Sequence, residues 1–194
     1  MEYQTIRNCV MFKGLGREYA AKFLREQLEA KEFRISRVYD QGDGHDGDGI
    51  HTAFRNSTQA VVDPMNPLVQ LACEATRFAN QNYFHVNVSQ YCRENSLVKY
   101  DVGGFFKDHS DIIWGRQPNN IDKQSIRKLT SIMLINDPDE FEGGTLHMWD
   151  DNTIYRTDFE MGDLIVFPSY VRHVVKPVTK GVRYSLVMWS LGYF

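Results

Sequence analysis

The chain has 194 residues, 42% of them hydrophobic and 24% charged, and its 22 Lys and Arg against 25 Asp and Glu leave a formal net charge of −3. That balance excludes a disordered or fibrous chain, and no basic tail or block is present to serve a dedicated nucleic-acid binder. The length suits one domain with a core of its own.

The N-terminal MEYQTIRNCVMFKG lacks the apolar centre of a signal peptide, and no apolar run approaches the roughly 18 residues of a membrane helix, so a cytoplasmic protein without a membrane partner is expected. Cys9, Cys73 and Cys92 are far apart and form no C-x-x-C, which reads as reduced core thiols. Residues 1–82 read as helical support. GREYAAKFLREQLEAKEF places Tyr19, Ala20, Phe23, Leu24 and Leu28 at helical spacing, and NPLVQLACEATRFANQNYF does the same with Leu68, Leu71, Ala72, Ala75 and Phe78. Between them QGDGHDGDG, rich in glycine, predicts a loop free to close over a ligand. Its Asp43, Asp46 and Asp48 lack the spacing of a calcium loop.

From residue 83 the texture becomes short β-like runs: YFHVNVSQY, SLVKYD, RKLTSIMLIN, GTLHMWD, NTIYRTD, GDLIVFP, YVRHVVKP and VRYSLVMW, with Gly, Pro, Asn and Asp between them. Many short strands with turn signals predict a sandwich or jelly roll. The expected fold is therefore mainly β with flanking helices (α+β): a jelly-roll core over 83–194, with the N-terminal helices packed on one side and the whole forming a single domain.

KDHSD places His109 and Asp111 two apart. On a strand they would point together into the interior, with Ser110 outward. His173 sits in the apolar run YVRHVVKP, where a histidine is costly unless something satisfies it. Two His and one carboxylate on a β scaffold make the facial triad of non-haem Fe(II); zinc could use the same ligands, and His173 by itself could be a hydrogen-bonded core residue. In VRYSLVMW, Arg183, Ser185, Val187 and Trp189 alternate onto one face. An inward arginine requires an anion: a core aspartate, or a dicarboxylate that meets the metal at its other end. His147 and Asp150 fall on opposite faces of their strand, His45 and His51 lie in or beside the loop, and His85 has no partner, so all read as structural.

The order Tyr100, His109-x-Asp111, RKLTSIMLINDPDEFEGGTL, GDLIVFPSYVRHVVKPVTKGVRYSLVMW resembles the prolyl 4-hydroxylase type of Fe(II)/2-oxoglutarate-dependent dioxygenase, bacterial and phage members above all, closely over 83–194 and by position only before that. The resemblance implies a double-stranded β-helix with Fe(II) on His109, Asp111 and His173. It implies 2-oxoglutarate with its distal carboxylate on Arg183, assisted by Ser185, and Tyr100 near the metal-chelating end. O2 is the further co-substrate, ascorbate the reductant, succinate and CO2 the co-products, and a proline-containing peptide or protein the substrate. Trp189, together with Arg55 and Ser57 of FRNS, matches the substrate contacts. Two residues depart from the pattern: Leu134 stands where many prolyl hydroxylases have a tyrosine, and Phe106 where a hydroxylated aromatic is common. A nucleic-acid demethylase of the same superfamily would carry a second arginine where this chain has Trp189. The alternatives are the same oxygenase chemistry on another side chain or a small molecule, and a non-catalytic jelly-roll binding module.

Overall fold

A computed structural model of the protein describes residues 2–39, 48–112 and 125–193. A hairpin of β1 (Tyr3–Ile6) and β2 (Cys9–Phe12) opens the chain, followed by α1 (Arg17–Ala30). Short strands come next: β3 (Arg34–Ile35), β4 (Val38–Tyr39), β5 (Asp48–Gly49), β6 (Arg55–Asn56) and β7 (Thr58–Val61). α2 (Pro67–Ala79) runs into a π-turn over Asn80–Phe84, and then β8 (Gln90–Tyr100), β9 (Phe105–His109) and β10 (Ser125–Leu134) follow. The chain closes with β11 (Phe141–Gly143), β12 (Leu146–Asp150), β13 (Thr153–Arg156), β14 (Leu164–Pro168), β15 (His173–Val175), β16 (Val178–Gly181) and β17 (Arg183–Tyr193).

These strands make an eight-stranded sheet in the order β1-β2-β14-β10-β17-β8-β7-β3, facing a five-stranded sheet in the order β13-β12-β15-β9-β6. The pairs are antiparallel. The large sheet is covered on both faces. Val10, Phe12, Leu97, Met133, Leu164, Val166, Leu186 and Met188 pack against Phe23 of α1 and Leu68, Val69 and Ala72 of α2. The alternate residues Met11, Val98, Ile132, Ile165 and Phe167 face Leu146, Met148 and Val175 of the small sheet. Burial on both sides explains why CVMF, SIML and LIVF read as continuous apolar runs. Full burial of a side chain such as Phe12 or Phe167 contributes about 1.5–3 kcal/mol.

The helical part of the chain thus also supplies strands to both sheets, an arrangement the helical reading of residues 1–82 did not contain. YFHVNVSQY is not a strand over its first seven residues. The Asn80 side chain accepts from the Val86 amide (2.9 Å) and donates to its carbonyl (3.0 Å), and His85 turns left-handed at φ 52°, so the helix ends in a tied turn. KPVTKG, between the runs YVRHVVKP and VRYSLVMW, contains β16, which pairs with β11. On α1, Tyr19 and Leu28 are exposed and Gln27 is buried in their place. α2 starts as the sequence predicts, Asn66 Oδ1 accepting the Leu68 amide at 3.0 Å with Pro67 in the first turn. Residues 40–47 of the Gly/Asp stretch, including Asp43, His45 and Asp46, lie outside the described residues. Among the described residues no helix is long and apolar enough to cross a membrane.

Candidate metal centre and anion pocket

β9 pairs with β15 so that His109 faces His173 while Phe106 faces Val175. Three steps on one strand match two on the other, a bulge that sets Lys107 and Asp108 against Val174. A plain strand would turn Phe106 and His109 to opposite faces; the bulge turns both inward. Phe106 then stacks on the His109 ring at 3.5 Å between centroids and 19° between planes. Behind it the Arg55 guanidinium lies 4.6 Å from the Phe106 centroid.

Asp111 is not on the strand. It lies in the turn after β9, where the Ser169 carbonyl accepts the amides of Asp111 (2.9 Å) and Ile112 (3.0 Å). The expected i, i+2 geometry is therefore absent, and the turn brings the carboxylate in instead. Its two oxygens stand 3.7 Å from His109 Nε2 and 3.6 Å from His173 Nε2. One donor atom from each of the three residues falls within 4.8 Å of the others, and among the described residues no other such group of three His, Cys, Asp or Glu exists.

The remaining ring nitrogens settle which atom of each histidine is available. His109 Nδ1 bonds to the Lys107 carbonyl at 2.7 Å and His173 Nδ1 to the Val171 carbonyl at 3.0 Å. A carbonyl only accepts, so Nδ1 carries the proton and Nε2 presents its lone pair toward Asp111. Burial, then the facing His173, pushes the His109 pKa down to about 3, so its imidazole is neutral at ordinary pH. Burial disfavours charge on Asp111 too, but the facing imidazoles of His173 and His109 and the Arg127 guanidinium outweigh it and hold its pKa at about 2. Two imidazoles, with their outer nitrogens tied to carbonyls, and one carboxylate fit a divalent transition ion such as Fe(II) and leave coordination positions open.

Along β17 the side chains alternate as predicted. Arg183 pairs with Tyr100, Ser185 with Val98 and Leu134, and Trp189 with Glu94 and Thr130. Arg183 is 2% exposed, its guanidinium carbon 5.6 Å from the Tyr100 ring centroid. Among the described residues no carboxylate pairs with it, which removes the core ion pair as its explanation. Desolvation lowers its pKa, as expected of a buried cation without a counter-ion. The buried Ser185 hydroxyl also lacks a partner among the described residues. Gly144 makes room for the arginine: at φ +59°, a Cβ there would stand 2.8 Å from Arg183 Cδ.

The residues expected to meet a substrate also make internal contacts. Arg55 donates to Ser57 Oγ (2.8 Å) and Gln59 Oε1 (3.3 Å), and Ser57 donates to Ser36 Oγ (2.9 Å). One face of Trp189 is covered by Arg127, 3.8 Å from the ring centroid, which Glu94 holds through two bonds of 2.6 and 2.9 Å. Thr130 and Ser169, which contact Asp111, were not singled out in the sequence, where a threonine and a serine among apolar residues carry no signal of their own. His147 bonds to Thr145 and Asp150 to Arg7, away from the site.

Residues 96–191 match the family described as the 2OG-Fe(II) oxygenase superfamily. Over 91 residues, 47% of this chain and 40% of the relative, the sequence is 34% identical to a PKHD-type hydroxylase of Pseudomonas fluorescens. The chain thus spans about two fifths of the length of that curated relative. The fold is similar to that of a Pseudomonas putida prolyl-4-hydroxylase, with a TM-score of 0.66, 22% identity and coverage of 95% of this chain and 92% of that one. It is also similar to the viral collagen prolyl hydroxylase of Paramecium Bursaria Chlorella virus-1, with a TM-score of 0.67, 15% identity and coverage of 95% and 96%. Both likenesses establish the double-stranded β-helix.

Proposed function

Given that residues 96–191 match the 2OG-Fe(II) oxygenase superfamily, we propose that the protein binds Fe(II) through His109, Asp111 and His173 and uses 2-oxoglutarate and O2 to hydroxylate prolyl residues of a peptide or protein. One observation carries the oxygenase reading: Arg183 is a buried guanidinium with no carboxylate partner among the described residues, beside the unpartnered hydroxyl of Ser185. The distal carboxylate of 2-oxoglutarate would satisfy both. When bound, the metal and the 2-oxo acid supply the oxidising chemistry, with succinate and CO2 as co-products.

The chain's own residues orient and enclose. Arg183 and Ser185 anchor the acid, Tyr100 lines its path, and Val98, Ile132 and Val187 keep that wall apolar. No side-chain general base is required. Trp189 is the proposed contact for the prolyl ring, and Arg55 and Ser57 support the substrate side from behind. The prolyl assignment is in keeping with the prolyl hydroxylases that share the fold. A cytoplasmic setting, with ascorbate as reductant, accords with three buried free thiols.

A second reading keeps the oxygenase and changes the substrate to another side chain or a small molecule. It is favoured by Leu134, buried directly opposite Ser185 where many prolyl hydroxylases carry a tyrosine. Conversion of 2-oxoglutarate to succinate, with Fe(II), ascorbate and O2, is to be measured with and without proline-rich peptides. Turnover stimulated by peptide, with one oxygen gained at proline, is the expected result. Peptide-independent turnover that disappears in His173→Ala would support the second reading. No turnover and no Fe(II) binding would leave a binding module.

A further inference from the structure

We propose that Thr130 and Ser169 are positioning residues of the metal centre, a two-hydroxyl relay that fixes the orientation of the Asp111 carboxylate. The inference rests on the metal-centre reading above and concerns how the carboxylate is held.

Asp111 lies beyond the end of β9, so no sheet ladder holds its side chain. Thr130 Oγ1 donates to Asp111 Oδ2 at 2.8 Å and lies 3.0 Å from Ser169 Oγ. The direction of the relay follows from chemistry. An ionised carboxylate only accepts, so the single Thr130 proton goes to Asp111 and Ser169 must donate to Thr130. All three groups are out of solvent, with Thr130 0%, Ser169 1% and Asp111 6% exposed. In such surroundings a hydrogen bond to a charged oxygen is strong and its loss costly.

Ser169 acts twice. Its carbonyl accepts the amides of Asp111 and Ile112, and its own amide donates to the Lys128 carbonyl at 3.0 Å. The same residue thereby sets the turn that carries Asp111 and, through Thr130, the rotation of the carboxylate. A bulge in β10 precedes Thr130. Arg127 pairs with Leu191 and Leu129 with Ser190, so Lys128 is an extra residue. That insertion lets Arg127 and Thr130, three apart, both reach the Trp189 side of the sheet.

The test is a Co(II) titration of the metal-free protein, read by the visible d–d bands, which report affinity and coordination geometry without turnover. Thr130→Val, which keeps the shape and removes the hydroxyl, is expected to weaken Co(II) binding about 10- to 100-fold and to alter the band pattern, as loss of an orienting partner does. Thr130→Ser restores the hydroxyl and with it the wild-type spectrum. If Thr130→Val fails to fold, Ser169→Ala interrupts the relay at its outer end and weakens binding in the same direction. Wild-type affinity and spectrum in the folded valine variant, or in Ser169→Ala, overturn the relay alone. Absence of Co(II) binding by the wild type, or undiminished binding by Asp111→Ala, overturns the metal centre and the relay with it.

Discussion

Replacement of Arg183 by methionine separates a ligand-binding cation from a structural one, because the two roles predict opposite signs for stability. Arg183 is 2% exposed and has no carboxylate partner among the described residues. Burying an ion costs several kcal/mol, and among the described residues no anion offsets it. An apolar side chain of similar length removes that penalty, so the ligand-free variant should be the more stable form. A gain of about 1 kcal/mol raises the midpoint of thermal unfolding by roughly 2–4 °C at this chain length. In the complex the sign reverses. Deleting one partner of a buried charge pair costs about 3–5 kcal/mol, or roughly 150- to 5,000-fold in 2-oxoglutarate affinity. Thermal unfolding with Mn(II), with and without 2-oxoglutarate, reads both effects. At 100 times its Kd the ligand stabilises the wild type by about 2.7 kcal/mol, or roughly 5–11 °C, and leaves the variant unmoved. A destabilised Arg183→Met that still responds to 2-oxoglutarate as the wild type does would refute the reasoning.

Gly144→Ala should lower both thermal stability and 2-oxoglutarate affinity, since the new Cβ meets Arg183 Cδ at 2.8 Å and Val178 Cγ2 at 2.9 Å in a left-handed backbone that costs about 1–2 kcal/mol for an L residue; a variant indistinguishable in both assays would show that the pocket is not packed this tightly. Phe106→Ala removes the ring stacked on His109, an aromatic contact worth about 0.5–1.5 kcal/mol beyond its area, and should weaken Co(II) binding, whereas Phe106→Tyr should not. Metal-free protein should lose stability as pH falls from about 6.5 toward 3. His109 stays neutral when folded down to about pH 3 but takes a proton near 6.5 when unfolded, so the unfolded chain binds more protons across that window. Asp111, held down to about 2 from 3.8, adds a loss of the same sign at the acid end. His109→Gln should flatten the slope of unfolding midpoint against pH, and an unchanged slope would assign the loss to other groups.

Much of the fold and the site could be read from local pattern. The apolar runs of β10, β14 and β17 announce a sheet buried on both faces, and the period of two in VRYSLVMW places Arg183, Ser185 and Trp189 on one side. What escaped were features whose cause is not local. The hairpin of β1 and β2 is eight residues of strand with a mixed pattern, and it becomes sheet because β14 offers an edge to pair with. Residues 83–89, YFHVNVS, looked like strand because their aromatic and β-branched residues favour one, while the Asn80 side chain ties the backbone at Val86 otherwise. The internal partners of Arg55 and Trp189, namely Ser57, Gln59 and Arg127, likewise carried no local signal.

By itself the sequence determined the donor types available to this protein and the face Arg183 takes on its strand. Those follow from side-chain identity and from the strict alternation of a strand. Tertiary structure decided how the donors meet. Two bulges, at Lys107–Asp108 and at Lys128, break the alternation and turn Phe106 and Arg127 toward the site. Asp111 arrives from a turn held by Ser169, on a segment distant in sequence. A bulge is an accommodation between two paired strands and a relay spans three segments, so neither leaves a period that one strand could show.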